Sequence, residues 1–277
     1  MTHGALLIHI SAADSMAITD IMLRAAALPG VNADQLLDTF CRKLAGFTQI
    51  SLSVESEFLR NALQQRLAGA TDMGWQAEIA AVRSVFADKS RSHIAIANGI
   101  YPLLDLAVTQ KLLGIHSEYR ADISYAENLP PGMVLSFISR DLLESLDIME
   151  AKDSDLSVGL RPFVEKNINQ FHAEVHYEEP DLRLLRLDFS LTSKRSLVKA
   201  AAFLNKLDSV PGSQSAENPY ATLQMLLQAA PELLHSFPSY IEIEFSATSE
   251  AKNYFSPLSV IEQPKGLLNR PHFGKIK

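Results

Sequence analysis

The sequence predicts a single α+β domain, residues 1–277, of antiparallel strands in α-β-β-α repeats. These strands are expected to form a curved sheet or closed barrel with helices on one face. Three observations lead there. Short segments alternate strictly between apolar and polar residues, the mark of strands with one buried and one wet face. Turn residues separate such segments in pairs, as hairpins require. Between the pairs lie stretches with helix-start chemistry and apolar residues at helical spacing.

In chain order, residues 6–11 read as a first strand. Asn32 caps a helix from Ala33, with Gln35 completing a capping box. Residues 49–55 alternate most cleanly: Ile50, Leu52 and Val54 face one way, Gln49, Ser51, Ser53 and Glu55 the other. Residues 56–89 hold two helices broken near 69–74, with Trp75 packing on the core. Residues 93–97 form a strand, and the helix after it stops near Gly114. Residues 122–126 and 133–139 flank Asn128 and the Pro-Pro-Gly run at 130–132, making a hairpin. Asp141 with Glu144 opens the next helix, and 155–170 hold another. Residues 172–177 and 184–190 make a second hairpin around Glu179, Pro180 and Asp181. Ser193 caps 194–207, and Asn218 with Pro219 opens 219–234. Residues 239–261 close the chain with a third hairpin. From residue 122 onward, hairpin, helix, helix recurs with a period of about 55 to 65 residues.

Apolar residues make up 47% and charged residues 21%, which excludes a disordered or collagen-like chain. With 25 Lys and Arg against 32 Asp and Glu, the formal net charge is −7. Phosphate backbones are repelled on average, so no nucleic-acid partner is expected. The one cysteine, Cys41, excludes an intrachain disulfide and reads as a small core residue of a helix. No apolar run approaches the ~20 residues of a membrane span. The start lacks the basic and small-residue features of a signal peptide, so a cytoplasmic location is expected. Gly-rich phosphate loops, dinucleotide glycine triplets, nucleophile elbows and cysteine zinc spacings are missing from the sequence.

Candidate chemistry sits on the wet strand faces. His172, Glu174 and His176 alternate along one strand and share a side. They read as divalent-metal ligands, as an acid/base pair, or as a plain exposed polar face. Arg186 and Asp188 lie on the wet face of the expected partner strand, where Arg186 reaches Glu174 or His172 across the ladder. Arg120, Asp122 and Ser124 form another polar side, with Tyr119 and Tyr125 near them; Tyr240, Glu242 and Glu244 form a third.

The stretch 163–207, with its run Leu184-Leu185-Arg186-Leu187-Asp188-Phe189, and the following unit at 226–261 resemble the aromatic prenyltransferase barrels of the ABBA family. The resemblance implies a closed ring of strands whose polar lumen holds an isoprenoid diphosphate beside an aromatic acceptor. In that reading Arg186 and Arg120 hold the diphosphate and Glu174 or His176 accepts the proton. Tyr125 and Tyr240 shield the cation, and Asp188 and His172 complete the substrate lining. No resident metal or other cofactor is assigned, though Mg2+ can accompany a diphosphate. The rival reading is a non-catalytic binding or assembly protein with an open antiparallel sheet, its helices 56–68 and 219–234 resting on a protein partner.

Overall fold

The computed structural model describes residues 3–25, 28, 30–150, 159–179, 181–182, 187–209, 223, 240–243 and 254–257. The chain divides into two compact units, Met1–Thr222 and Leu223–Lys277.

The first unit alternates strand and helix. Its order is β1 (His3–Ile10), α1 (Ala12–Arg24), α2 (Ala33–Lys43), β2 (Phe47–Val54), α3 (Glu57–Arg66), β3 (Thr71–Asp72), α4 (Glu78–Phe86), β4 (His93–Ala97) and α5 (Leu106–Tyr119). There follow β5 (Ile123–Ala126), β6 (Ser136–Ser139), α6 (Asp141–Glu150), α7 (Leu160–Lys166), β7 (Ala173–His176) and α8 (Lys194–Ser209). Several helix starts work as their residues imply. Asn32 accepts the Gln35 N–H, Asp105 the Val108 N–H and Ser193 the Ser196 N–H.

The seven strands form one sheet in the order β3-β2-β1-β4-β6-β5-β7. Neighbours are parallel except where β6 lies between β4 and β5, antiparallel to both. This corrects the expectation of an antiparallel barrel. Helices occupy the connections β1–β2, β2–β3, β3–β4 and β4–β5, and a helical crossover returns the chain to the same edge of the sheet, which makes the next strand parallel. The expected hairpin at 122–139 exists as the β5/β6 pair. Of the expected one at 172–190, β7 pairs with β5 in parallel and Leu187–Ser190 is not strand, while residues 183–186 lie outside the described residues.

Both faces of the sheet are covered. On one, Ala5, Leu7, Ile94, Ile96, Ile123, Tyr125 and Ile138 pack with Val82, Val85 and Phe86 of α4, Leu142 and Leu146 of α6, and Phe163 and Val164 of α7. Leu6, Ile8 and Ile10 point to the opposite face and are fully buried too. On that side α5 lies over β5, its buried His116 ring bonding Ser124 Oγ through Nδ1 at 2.9 Å. Ser51 and Ser53, expected in water, are 8% and 0% exposed. Trp75, expected in the core, is 44% exposed. Among the described residues no helix is long and apolar enough to cross a membrane.

The second unit is described by β8 (Tyr240–Ile243) and β9 (Tyr254–Pro257), which pair antiparallel.

Candidate active site

In an open sheet of this kind, the connections leaving two adjacent strands in opposite directions open a crevice at their carboxyl ends. Here those strands are β1, whose chain moves on to β2, and β4, whose chain moves on toward β5. The crevice therefore begins at Ser11 and at Asn98.

Hydroxyls stitch its β1/β2 side. Ser11 Oγ caps α1 by accepting the Asp14 N–H at 3.1 Å and donates to Asp14 Oδ2 at 2.7 Å. Ser15 Oγ accepts the Ser56 N–H, and Thr19 Oγ1 donates to Ser56 Oγ. Ser53 Oγ accepts the Gln76 N–H at 3.0 Å, and His9 Nε2 lies 3.1 Å from the Gln76 carbonyl. These bonds pin the loop carrying Trp75 to the ends of β1 and β2.

The β4 side is polar. Glu78, at the start of α4, accepts Asn98 Nδ2 on Oε1 and the Leu160 N–H on Oε2. The Asn98 N–H donates to Tyr101 Oη at 3.0 Å. Burial pushes the Tyr101 phenol up to about 12, against the pull of the Asn98 N–H and with help from the Asp188 and Glu78 carboxylates. The phenol stays protonated and keeps its hydrogen to donate. Gly99 lets the segment after Asp188 close in: a Cβ there would sit 3.0 Å from the Ser190 carbonyl oxygen. That segment is folded on itself, with Asp188 Oδ1 accepting Ser190 N–H and Oγ–H. Its buried Leu191 holds φ at +55°, a costly conformation for a bulky side chain.

Arg161, whose charge also acts on Tyr101, is a fixed cation. Arg161 stacks on the Tyr125 ring with its guanidinium carbon 4.2 Å from the centroid. Nη2 donates to Glu127 at 2.8 Å and Nε to Glu165 at 2.7 Å. Burial, then Glu165, raise the Tyr125 phenol while Arg161 opposes them.

The residues singled out from sequence scatter. The Asp188 charge acts on Tyr101 on the β4 side, and Tyr125, near the end of β5, lies under Arg161. His176 ends β7, buried, its Nε2 on Glu178 Oε1 at 2.8 Å, where Lys111 also donates. Glu174 is half-buried in mid-strand with His172 Nε2 at 3.2 Å, and His172 is exposed at the amino end of β7. Arg120 is exposed at the carboxyl end of α5, where it precedes the amino end of β5 on the far edge of the sheet from the crevice. Arg186 lies outside the described residues, and of Tyr240 only the backbone in β8 is described. Glu78, Asn98, Tyr101 and Arg161 were not foreseen. The pair Asn98-Gly99 directly after the apolar run Ile94–Ala97 was the available signal, once that run is read as a parallel strand ending at a functional edge.

Neither a protein-family model nor a curated protein matches the chain. Among solved structures, a cytidylyltransferase from Leptospira borgpetersenii serovar Hardjo-bovis (strain JB197) aligns over 85% of this chain and 98% of its own. The TM-score is 0.62 at 16% identity. Molybdopterin-guanine dinucleotide biosynthesis protein A from Archaeoglobus fulgidus aligns over 73% of this chain and 99% of its own, with a TM-score of 0.50 at 13% identity. At such identities the likeness is one of fold. It overturns the resemblance to aromatic prenyltransferases, and prenyl transfer to an aromatic acceptor loses its basis with the barrel. The rival of a non-catalytic protein with an open antiparallel sheet fares no better, since the sheet is mostly parallel.

Proposed function

We propose that this chain is a nucleotidyltransferase that moves a nucleotidyl group from a nucleoside triphosphate to a small-molecule acceptor in the crevice at the ends of β1 and β4. The observation that carries the reading is the convergence of Asn98, Tyr101, Asp188 and Arg161 at the switch point of a sheet. The names of the two similar structures, a cytidylyltransferase and a guanine dinucleotide biosynthesis protein, support it. In the reaction an acceptor oxygen attacks the α-phosphorus, the bond from that phosphorus to the bridging oxygen breaks, and pyrophosphate leaves. Mg2+ on the substrate's phosphates would offset their charge and ease the departure of pyrophosphate. Arg161, held by two carboxylates and an aromatic face, meets the negative charge that builds on the departing phosphates. The neutral Tyr101 phenol donates a hydrogen bond to a phosphate or acceptor oxygen. A free nucleotide, rather than a polynucleotide, suits a chain of net charge −7, and the cytoplasm is the compartment that supplies it.

Calorimetry with CTP, UTP, GTP and ATP in magnesium buffer tests this. One of them is expected to bind, and Arg161→Ala to weaken it by about tenfold or more. A folded wild-type protein that binds none of the four removes the reading.

A further inference from the structure

Glu78 uses both oxygens of its carboxylate. Oε2 accepts the Leu160 N–H at 2.7 Å and Oε1 accepts Asn98 Nδ2 at 3.0 Å. A carboxylate offers only acceptors, so this contact decides which end of the Asn98 carboxamide turns inward. Nδ2 goes to Glu78. Oδ1, which has no hydrogen-bond partner among the described residues, is left for the exposed side of Asn98 at the carboxyl end of β4.

We infer that Glu78 is a positioning residue: it makes the crevice group at Asn98 an obligatory hydrogen-bond acceptor, so that the site takes a ligand hydroxyl or amine there and turns away another acceptor. This rests on the nucleotide reading, within which the donor is a sugar hydroxyl or a base amine.

Glu78→Gln probes the point because the Leu160 N–H cannot turn round. It still needs an acceptor, so the carboxamide oxygen of the introduced side chain serves it and the new NH2 group meets Asn98. Asn98 must then flip, with Oδ1 inward and Nδ2 toward the crevice. Both protein hydrogen bonds survive, but the polarity shown to the ligand is reversed. Adding Asn98→Asp restores it: one oxygen accepts from the introduced amide and the other faces the crevice as an acceptor, with the formal charge of the pair unchanged.

The measurement is calorimetric binding, with magnesium, of whichever of the four nucleoside triphosphates the wild-type protein binds, beside a melting curve for each variant. E78Q is expected to bind about tenfold more weakly or worse while melting close to wild type. The E78Q/N98D double variant is expected to recover most of the loss. Asn98→Ala, at an exposed position that leaves the Glu78–Leu160 bond alone, is expected to lose about as much as E78Q, and serves if E78Q does not fold. Repeating the series with the 2′-deoxy and 3′-deoxy forms of that nucleotide, and with one whose base lacks the amine, identifies the donor, because the nucleotide lacking it shows no further loss in E78Q. Affinity unchanged in E78Q, or in N98A should E78Q not fold, overturns the positioning role and leaves the nucleotide reading standing. A double variant no better than E78Q has the same consequence. A wild-type protein that binds no nucleotide removes both.

Discussion

A buried imidazole bonded to a hydroxyl resists taking a proton. Burial, and next the charge of neighbouring His93, lower His116 from 6.5 to about 4. Between those values the unfolded chain binds more protons than the folded one. Stability is therefore full above about pH 6.5 and declines as pH falls toward 4, by at most about 1.4 kcal/mol per pH unit from this group. Urea midpoints measured across that window should follow this slope, and His116→Gln should flatten it. Cys41 behaves likewise as a buried group: burial pushes its thiol up to about 12 against the pull of Arg66, with a smaller push from Asp38. Thiol reagents at mildly alkaline pH should leave the native protein unlabelled and react once it is denatured; fast native labelling would contradict the burial. The helical core role of Cys41 was legible in the sequence, and so was the Asn32 cap. Ser51, Ser53 and Trp75 were misread for one reason. A small hydroxyl enters a core at little cost once it finds a partner, as Ser53 does with Gln76, while one large apolar ring is easily left at a surface.

Elements were located far better than they were connected. The segments 49–55, 93–97, 122–126 and 172–177 all hold strands, since alternation and β-branched content register locally. Direction and neighbours are not local. The order strand, helix, strand across the first half was itself the sign of a parallel sheet, but buried serines gave β2 the look of a half-wet strand. The same serines make a test at this scale. Ser53→Ala strips the Gln76 N–H of its acceptor and frees the loop before α4, an expected loss of about 1–3 kcal/mol in chemical denaturation. Gly132 is a second point of fixed geometry. Its φ is +88°, and a Cβ there would fall 2.5 Å from the Phe189 carbonyl carbon. Gly132→Ala should cost about 2–4 kcal/mol, because it adds backbone strain to a clash that no side-chain rotation relieves. A variant as stable as wild type would mean that the two segments do not touch.

For the molecule as a whole, a folded, acidic, mixed helix-and-strand chain was legible in the sequence, but not the crevice at the ends of β1 and β4. Asp188 and Tyr125 were picked as polar residues of a lumen; what joins them with Asn98 and Arg161 is one end of a mostly parallel sheet, assembled from segments spread between residues 98 and 188. Ligand linkage gives the matching prediction. If the nucleotide proposal holds, whichever of the four nucleoside triphosphates binds, at about a hundred times its dissociation constant, should add about 2.7 kcal/mol, raising the melting temperature by several degrees. The same protein without magnesium should gain less. The chain also carries its own optical probe for such work. Its one tryptophan, Trp75, is 44% exposed on the loop that Ser53 and His9 tie down beside the crevice. All indole emission from this polypeptide thus originates at a single rim, so anything settling there can be followed label-free as quenching or a change of colour.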